Sequence, residues 1–303
     1  MILYNKNTTD SRDFKKIKNI TLKIKTYMIE YETSDRNNHN IKANGGIIMS
    51  IDIIKAKKAF KEYVKNYDPN DKKVKLKIAH IERVSQIAKQ LAENLNLDEE
   101  DVKLAELIGL LHDRGRFEQI KRYHTFIDKN SVNHGELGAK ILFEEGLIRD
   151  FIEDTKFDEI IKLSILNHNK TTIQEGLTQR EELHAKIIRD ADKTDILYLL
   201  TFEDKQAAWE KDDLSNDKIT DEIYREFMED KKIDYTKRET SADLLVCHFA
   251  YAYDLNFKET YKIIKENKYY DEIYIRFIFN NKETMERYNK IYEKVKQYIE
   301  EKG

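Results

Sequence analysis

Only one proline, Pro69, stands in a chain of 303 residues, and glycine occurs just nine times. These are the two residues that most readily stop a helix. Lys, Glu, Ile and Leu are abundant instead, so an all-α fold is expected. Hydrophobic residues make up 40% of the chain, enough to build a core in one large or two small domains.

The apolar pattern agrees with helices. Ile53, Ala56, Phe60 and Val64 share one face, and a turn containing Pro69 follows. The next stripe is His80, Val84, Ile87, Ala88 and Leu91, ending near Asn96, with Asp98 as cap for a helix carrying Leu104, Leu107, Ile108 and Leu111. Further helices are expected from His134 to Glu145, closed by Gly146, from Phe157 to Leu166, and from Glu182 to Leu200. Residues 205–240 are highly charged and read as solvated helices or a long excursion. Ser241 to Tyr253 is apolar again, and Tyr261 to Lys302 reads as two helices. The Tyr and Phe residues of 249–278 read as core rather than as a base-stacking surface.

Several classes are disfavoured. The formal net charge is −3, with no basic excess for nucleic acid or an anionic membrane. No apolar run approaches the roughly 20 residues of a membrane span. The lone Cys247 has no intramolecular partner, which suits a reducing, cytoplasmic setting. Residues 1–48 are rich in Lys, Asn and Thr and only weakly periodic. The piece GGIIMS, 45–50, is what a purine-rich ribosome-binding sequence and a start codon encode when read through. The native protein is therefore expected to begin at Met49, with residues 1–48 as translated leader. N-terminal sequencing tests this.

The chemistry centres on LLHDRGRF, residues 110–117. His112 and Asp113 are adjacent, about 100° apart around a helix axis. His80 and Asp192 stand beside apolar stripes on other helices, so the four can converge on a common core. Imidazole and carboxylate without thiolate suit Mn, Fe, Co, Ni or Zn. Spread over residues 80–192, this spacing is a weak signal by itself.

Three segments strengthen it. HIERVSQIAKQLA, LLHDRGRF and IIRDADKTD resemble, in order, the first-histidine helix, the His-Asp doublet and the closing-aspartate segment of the HD superfamily of metal-dependent phosphohydrolases. The resemblance spans roughly residues 75–200. It implies an all-α HD-domain bundle over residues 49–200, with additional C-terminal helices over 201–303 packed on it. It implies His80, His112, Asp113 and Asp192 as ligands of a first divalent ion. His134, in NHGELGAKIL, and His168, in LNHNK, match positions that dinuclear members use for a second ion bridged by Asp113. It also implies hydrolysis of a small phosphomonoester or phosphodiester, nucleotides included, by metal-activated water. Asp113 is best placed to orient that water and take its proton, and Arg116, a basic residue beside the doublet, is the second expected catalytic residue, meeting the phosphate. A non-catalytic metal-stabilised regulatory module and a dinuclear oxygenase remain as alternatives. Oligomeric state is not legible.

Neighbouring residues also admit plainer roles. Asp190 and Asp195 compete with Asp192, and the Ala-Asp-Lys register favours Asp192. Asp195 could orient a histidine instead. Arg114, Arg116, Lys121 and Arg122 could meet phosphate, Arg116 foremost. Position 114 is apolar in many relatives, so Arg114 either weakens packing or reaches the site. His124, His184 and His248 read as structural, and His39 lies in the leader. The Gly-Tyr-Pro motif of cyclic-di-GMP phosphodiesterases is ruled out by the single proline. Arg116-Phe117 stands where alarmone hydrolases carry Glu-Asp, so neither substrate carries over.

Overall fold

Every regular element among the described residues is helical. The structure, a computed structural model, describes residues 51–203, 213–229 and 233–303. The leader reading of residues 1–48, with His39, lies outside the described residues. So do 204–212 and 230–232 of the charged stretch.

Acidic caps set the first three helices. Asp52 accepts from the Lys55 N–H to start α1 (Ile53–Val64). Asp71, two residues past Pro69, caps α2 (Lys72–Asn94), and Asp98 caps α3 (Glu99–Leu111). Each cap satisfies backbone N–H groups that a helix start otherwise leaves open. Glu99, Glu100 and Asp101 add negative charge to the first turn of α3, where the helix dipole favours it. From Leu104 to Leu111 all eight residues of α3 are buried, so it is the central helix. It lies unusually close to α2: a Cβ on Gly109 would stand 2.6 Å from the Ser85 Cα. Only glycine permits that approach.

After α4 (Arg114–Tyr123), α5 (His134–Ala139) runs into a π turn, Lys140–Glu144, and stops at Gly146. The expected uninterrupted α-helix to Glu145 is therefore corrected. Consecutive Ile141 and Leu142 are both buried, and the wider turn carries an extra residue that turns both to the core. α6 (Asp158–His168) and α7 (Gln179–Phe202) follow, α7 opened by a capping box between Thr178 and Glu181. The polar run Arg189–Asp195 does not interrupt α7, and Asp190 shows why. Its carboxylate accepts from the Asn256 and Phe257 N–H groups and from the Thr260 hydroxyl, capping the next-but-two helix across the fold.

The C-terminal part holds α8 (Asp221–Met228), α9 (Ser241–Phe249), which runs into a 3-10 turn at Ala250–Asp254, α10 (Lys258–Glu266), α11 (Tyr269–Arg276) and α12 (Lys282–Lys302). Three helices thus occupy the span expected to hold two. Lys268 sits at φ +53°, a left-handed break that no glycine marks. The described part of 205–240 is not a solvated excursion either. Leu214, Ile219, Ile223, Phe227 and Ile233 are buried, each spaced among charges that stay outside.

Two apolar clusters result. One gathers buried residues from Ile51 to Ala191, the other from Leu197 to Ile299, and α7 contributes to both. Most aromatics of 249–278 belong to the second, while Phe257 packs on the first; Phe249 packs against Tyr270 and Tyr288 at 5.2 and 5.4 Å between centroids.

His248 lies beside that core with Nδ1 sealed from solvent. Burial, aided by the nearby Arg238 charge, lowers its pKa from 6.5 to about 3. Unfolding frees a base that takes up a proton below about 6.5. The folded state cannot take it until near 3, so this contribution to stability is complete above 6.5 and declines as pH falls. Between pH 7.5 and 5, wild type should lose about 2 kcal/mol more than His248→Gln, at about 1.4 kcal/mol per unit below 6.5. Urea unfolding at the two pH values measures this; parallel curves would refute it.

Candidate metal centre

Six side chains from five helices and one junction meet at the centre. His80 comes from the middle of α2 and Asp192 from the middle of α7. His112 caps the end of α3, Asp113 is the junction to α4, His134 opens α5 and His168 closes α6. Long helices thus present the first pair, and helix ends present the others, all four of them buried.

Two triads form, His80/His112/Asp192 and Asp113/His134/His168, each with ligand atoms within 4.8 Å of one another. The Asp192 Oδ1 lies 3.2 Å from the His80 Nε2 and 3.6 Å from the His112 Nε2. Asp113 faces both triads. Its Oδ2 is 3.4 Å from the His80 Nε2 and 3.6 Å from the His112 Nε2. Its Oδ1 is 3.4 Å from the His134 Nε2 and 3.7 Å from the His168 Nε2.

The back of each ring fixes its front. Nδ1 of His112 donates to the Gly109 carbonyl at 2.7 Å, and Nδ1 of His168 to the Ile165 carbonyl at 2.6 Å. A carbonyl only accepts, so both Nδ1 atoms carry hydrogen and both neutral rings offer a lone pair at Nε2. Carboxylates do the same for the other two: Asp195 holds the His80 Nδ1 and Asp128 the His134 Nδ1, both at 2.7 Å. All four Nε2 atoms therefore aim inward, oriented from behind.

This donor set fits a metal. Among the described residues, the His80 Nε2, His112 Nε2 and Asp113 Oδ1 are buried without a hydrogen-bond partner. Such groups are costly unless something compensates them. The Nε2 atoms of His134 and His168 stand 3.0 Å apart, and two lone pairs at that distance call for a cation against both. The electrostatics favour positive charge between these groups: burial and Lys77 oppose a charge on His80, yet the facing Asp113, Asp192 and Asp195 raise it to about 10. Burial alone would raise Asp113, yet Lys77 and the facing histidines hold it well below the ordinary carboxylate range. Burial likewise opposes Asp192, and His112 and His80 prevail. Burial and Arg116 push His134 down to about 3, keeping it neutral as a ligand must be.

The remaining candidates separate. Asp190 caps α10 and faces away. Asp195 links His80 to Arg83, which grips it through Nε at 2.6 Å and Nη2 at 3.1 Å. Arg116 sits beside Asp113, its Nε 3.7 Å from Oδ1. Its Nη1 is engaged by the Phe126 carbonyl, Gln119 and Asp128. Lys121 and Arg122 lie on the outer surface with Glu118. His124 ends α4, exposed, and His184 pairs with Asp101 at 3.0 Å.

Arg114 does not reach the centre. It is fully buried among Tyr63, Phe151, Phe60 and Phe117, its Cζ 3.4 Å from the Tyr63 centroid and 5.0–5.8 Å from the others. Its three guanidinium nitrogens have no hydrogen-bond partner among the described residues. Burial lowers its pKa to about 10, so it stays charged at neutral pH. Cation–π attraction returns about 2 kcal/mol when desolvated, less than the several kcal/mol that burying an ion costs. Arg114→Met, matched in length, should therefore raise stability by about 1–2 kcal/mol. Arg114→Ala, which leaves a cavity, should lower it by about 3 kcal/mol. Thermal melts of the pair decide it; a fall with Met would show that the cation–π cage dominates.

Two residues at the centre have no counterpart in the sequence reading. Lys77 donates to the Asp113 Oδ2 at 2.8 Å. It lies three residues before His80 on the same face of α2, and that spacing is a usable signal. Asp128 carries no such signal, being one of several polar residues in the loop before α5.

The HD domain family model matches residues 78–197, a stretch that contains all six converging residues. That segment is an HD domain, the all-α module of a superfamily of metal-dependent phosphohydrolases. Neither the curated proteins nor the solved structures provide a match to the chain. Among the described residues no helix is long and apolar enough to cross a membrane.

Proposed function

We propose that this protein is a metal-dependent hydrolase of a small phosphomonoester or phosphodiester, nucleotides among the candidates, in a reducing cytoplasmic setting. In this reading residues 49–200 form the catalytic core and 201–303 an extension packed on it. The supporting observation is the convergence of four inward Nε2 atoms on both oxygens of one carboxylate. His80, His112 and Asp192 would hold one divalent ion and His134 and His168 another, with Asp113 shared between them.

A bound divalent metal supplies Lewis acidity toward phosphoryl oxygens and lowers the pKa of water. The chain supplies the rest. Asp113, kept ionised, presents one oxygen to each triad and is placed to orient a water held between them. Asp195 and Asp128 hold two imidazoles in register, and Arg116 with Lys77 brings positive charge to the rim, where phosphoryl charge develops.

The test is a phosphoester and nucleotide screen with Mn, Ni and Co supplied separately, with metal content measured in parallel. Turnover that follows metal content supports the reading. Bound metal without turnover on a broad panel would favour a metal-stabilised regulatory module. No metal uptake would overturn it.

A further inference from the structure

We propose that Arg83 is a positioning residue of the candidate metal centre: its two-point grip on Asp195 fixes His80, and so sets how tightly and in what geometry the first triad holds an ion. This rests on the phosphohydrolase reading and adds a residue to its machinery.

The four imidazoles are not anchored alike. His112 and His168 stand at helix ends and donate to carbonyls three residues back. His80 stands in the middle of α2, where each carbonyl already accepts from the N–H four residues on. Its ring must be anchored from another helix, and Asp195 of α7 does this. That carboxylate is fully buried. With His80 as its sole partner it would be free to turn about its own bond, and the imidazole would turn with it. Arg83 removes that freedom. Its Nε donates to Oδ1 and its Nη2 to Oδ2, the oxygen that also accepts from His80, so both oxygens are fixed in one plane.

Arg83 is itself held. Its Cζ lies 4.5 Å from the Tyr198 centroid, and the Glu203 carboxylate is 3.6 Å from its Nη1. Tyr269 packs perpendicular to Tyr198 at 6.5 Å between centroids. The clamp thus runs from α11, in the C-terminal part, through α7 and α2 to one imidazole of the first triad.

The chain carries its own control. Arg180 holds Asp101 and Asp101 holds His184, the same order of groups, but His184 belongs to neither triad. The test titrates cobalt into the metal-free full chain. Affinity is read by chelator competition and ligand geometry by the visible d–d bands. Arg83→Gln should weaken one cobalt site about tenfold, the lower end of what an outer partner of a metal ligand is worth, and shift the bands. Arg83→Lys keeps the charge but not the fork, so its bands should stay shifted. Arg180→Gln, which also removes an ion pair, should change neither. Unchanged affinity and bands in Arg83→Gln, wild-type bands in Arg83→Lys, or an equal effect of Arg180→Gln would overturn the proposal while leaving the phosphohydrolase reading intact. A wild-type chain that takes up no cobalt or other divalent metal would overturn both.

Discussion

Asp113→Ala is expected to fold, to lose metal from both triads and to lose hydrolysis by more than the roughly 100-fold that even an outer-shell partner of a metal site costs. Asp113 is the one side chain whose two oxygens face different triads, so no neighbour can take its place. The folded state should survive, because Lys77 is partly exposed and its freed ammonium can swing to water on its long stem. The clearest readout is linkage. A metal that binds only the folded chain adds about 4 kcal/mol at a thousandfold excess over its Kd. Wild type should show that rise in denaturant unfolding, and Asp113→Ala should not. Equal stabilisation of both proteins would mean that the metal binds elsewhere.

Gly115→Ala should be more damaging to the fold than any other single methyl at the centre. A Cβ there would stand 2.1 Å from the His134 carbonyl oxygen and 2.7 Å from the Gly138 nitrogen, both backbone atoms. No rotamer relieves such a contact, so α4 and α5 must separate. Overpacking costs typically 1–3 kcal/mol and more where backbone must move, so a loss of about 3 kcal/mol or more is expected. The same shift carries His134 away from Asp113, and the metal held by the second triad should go with it. Unfolding curves and metal stoichiometry check both parts. A fully stable variant with normal metal content would show that the two helices have slack there.

The helices were legible because their signals are local. Asp98 and Gly146 mark ends, and the apolar stripes of α2 and α3 mark faces. The split between α10 and α11 was not, since Lys268 adopts its left-handed backbone without the usual glycine. Charge density in 213–233 hid a sparse apolar set that reaches the core only through tertiary packing. At the centre, the doublet and its flanking segments pointed to the residues that meet. Asp128 could not be read, because its role exists only once the loop folds back on His134. Arg114 was legible in principle. Residues 114 and 116 lie about 200° apart around a helix, so only one of that pair can face Asp113, and Arg116 is the one that does.

The sharing of α7 between both apolar clusters separates the recognisable module from the unit that folds. The segment 78–197 begins inside α2 and ends inside α7. A recombinant fragment cut to those limits would lose Lys77 and the first turns of α2. It would bare Leu197 and strip Asp190 of the α10 start that it caps. The smallest autonomous form of this candidate centre is therefore expected to be longer than the 78–197 segment, with C-terminal helices needed as scaffold.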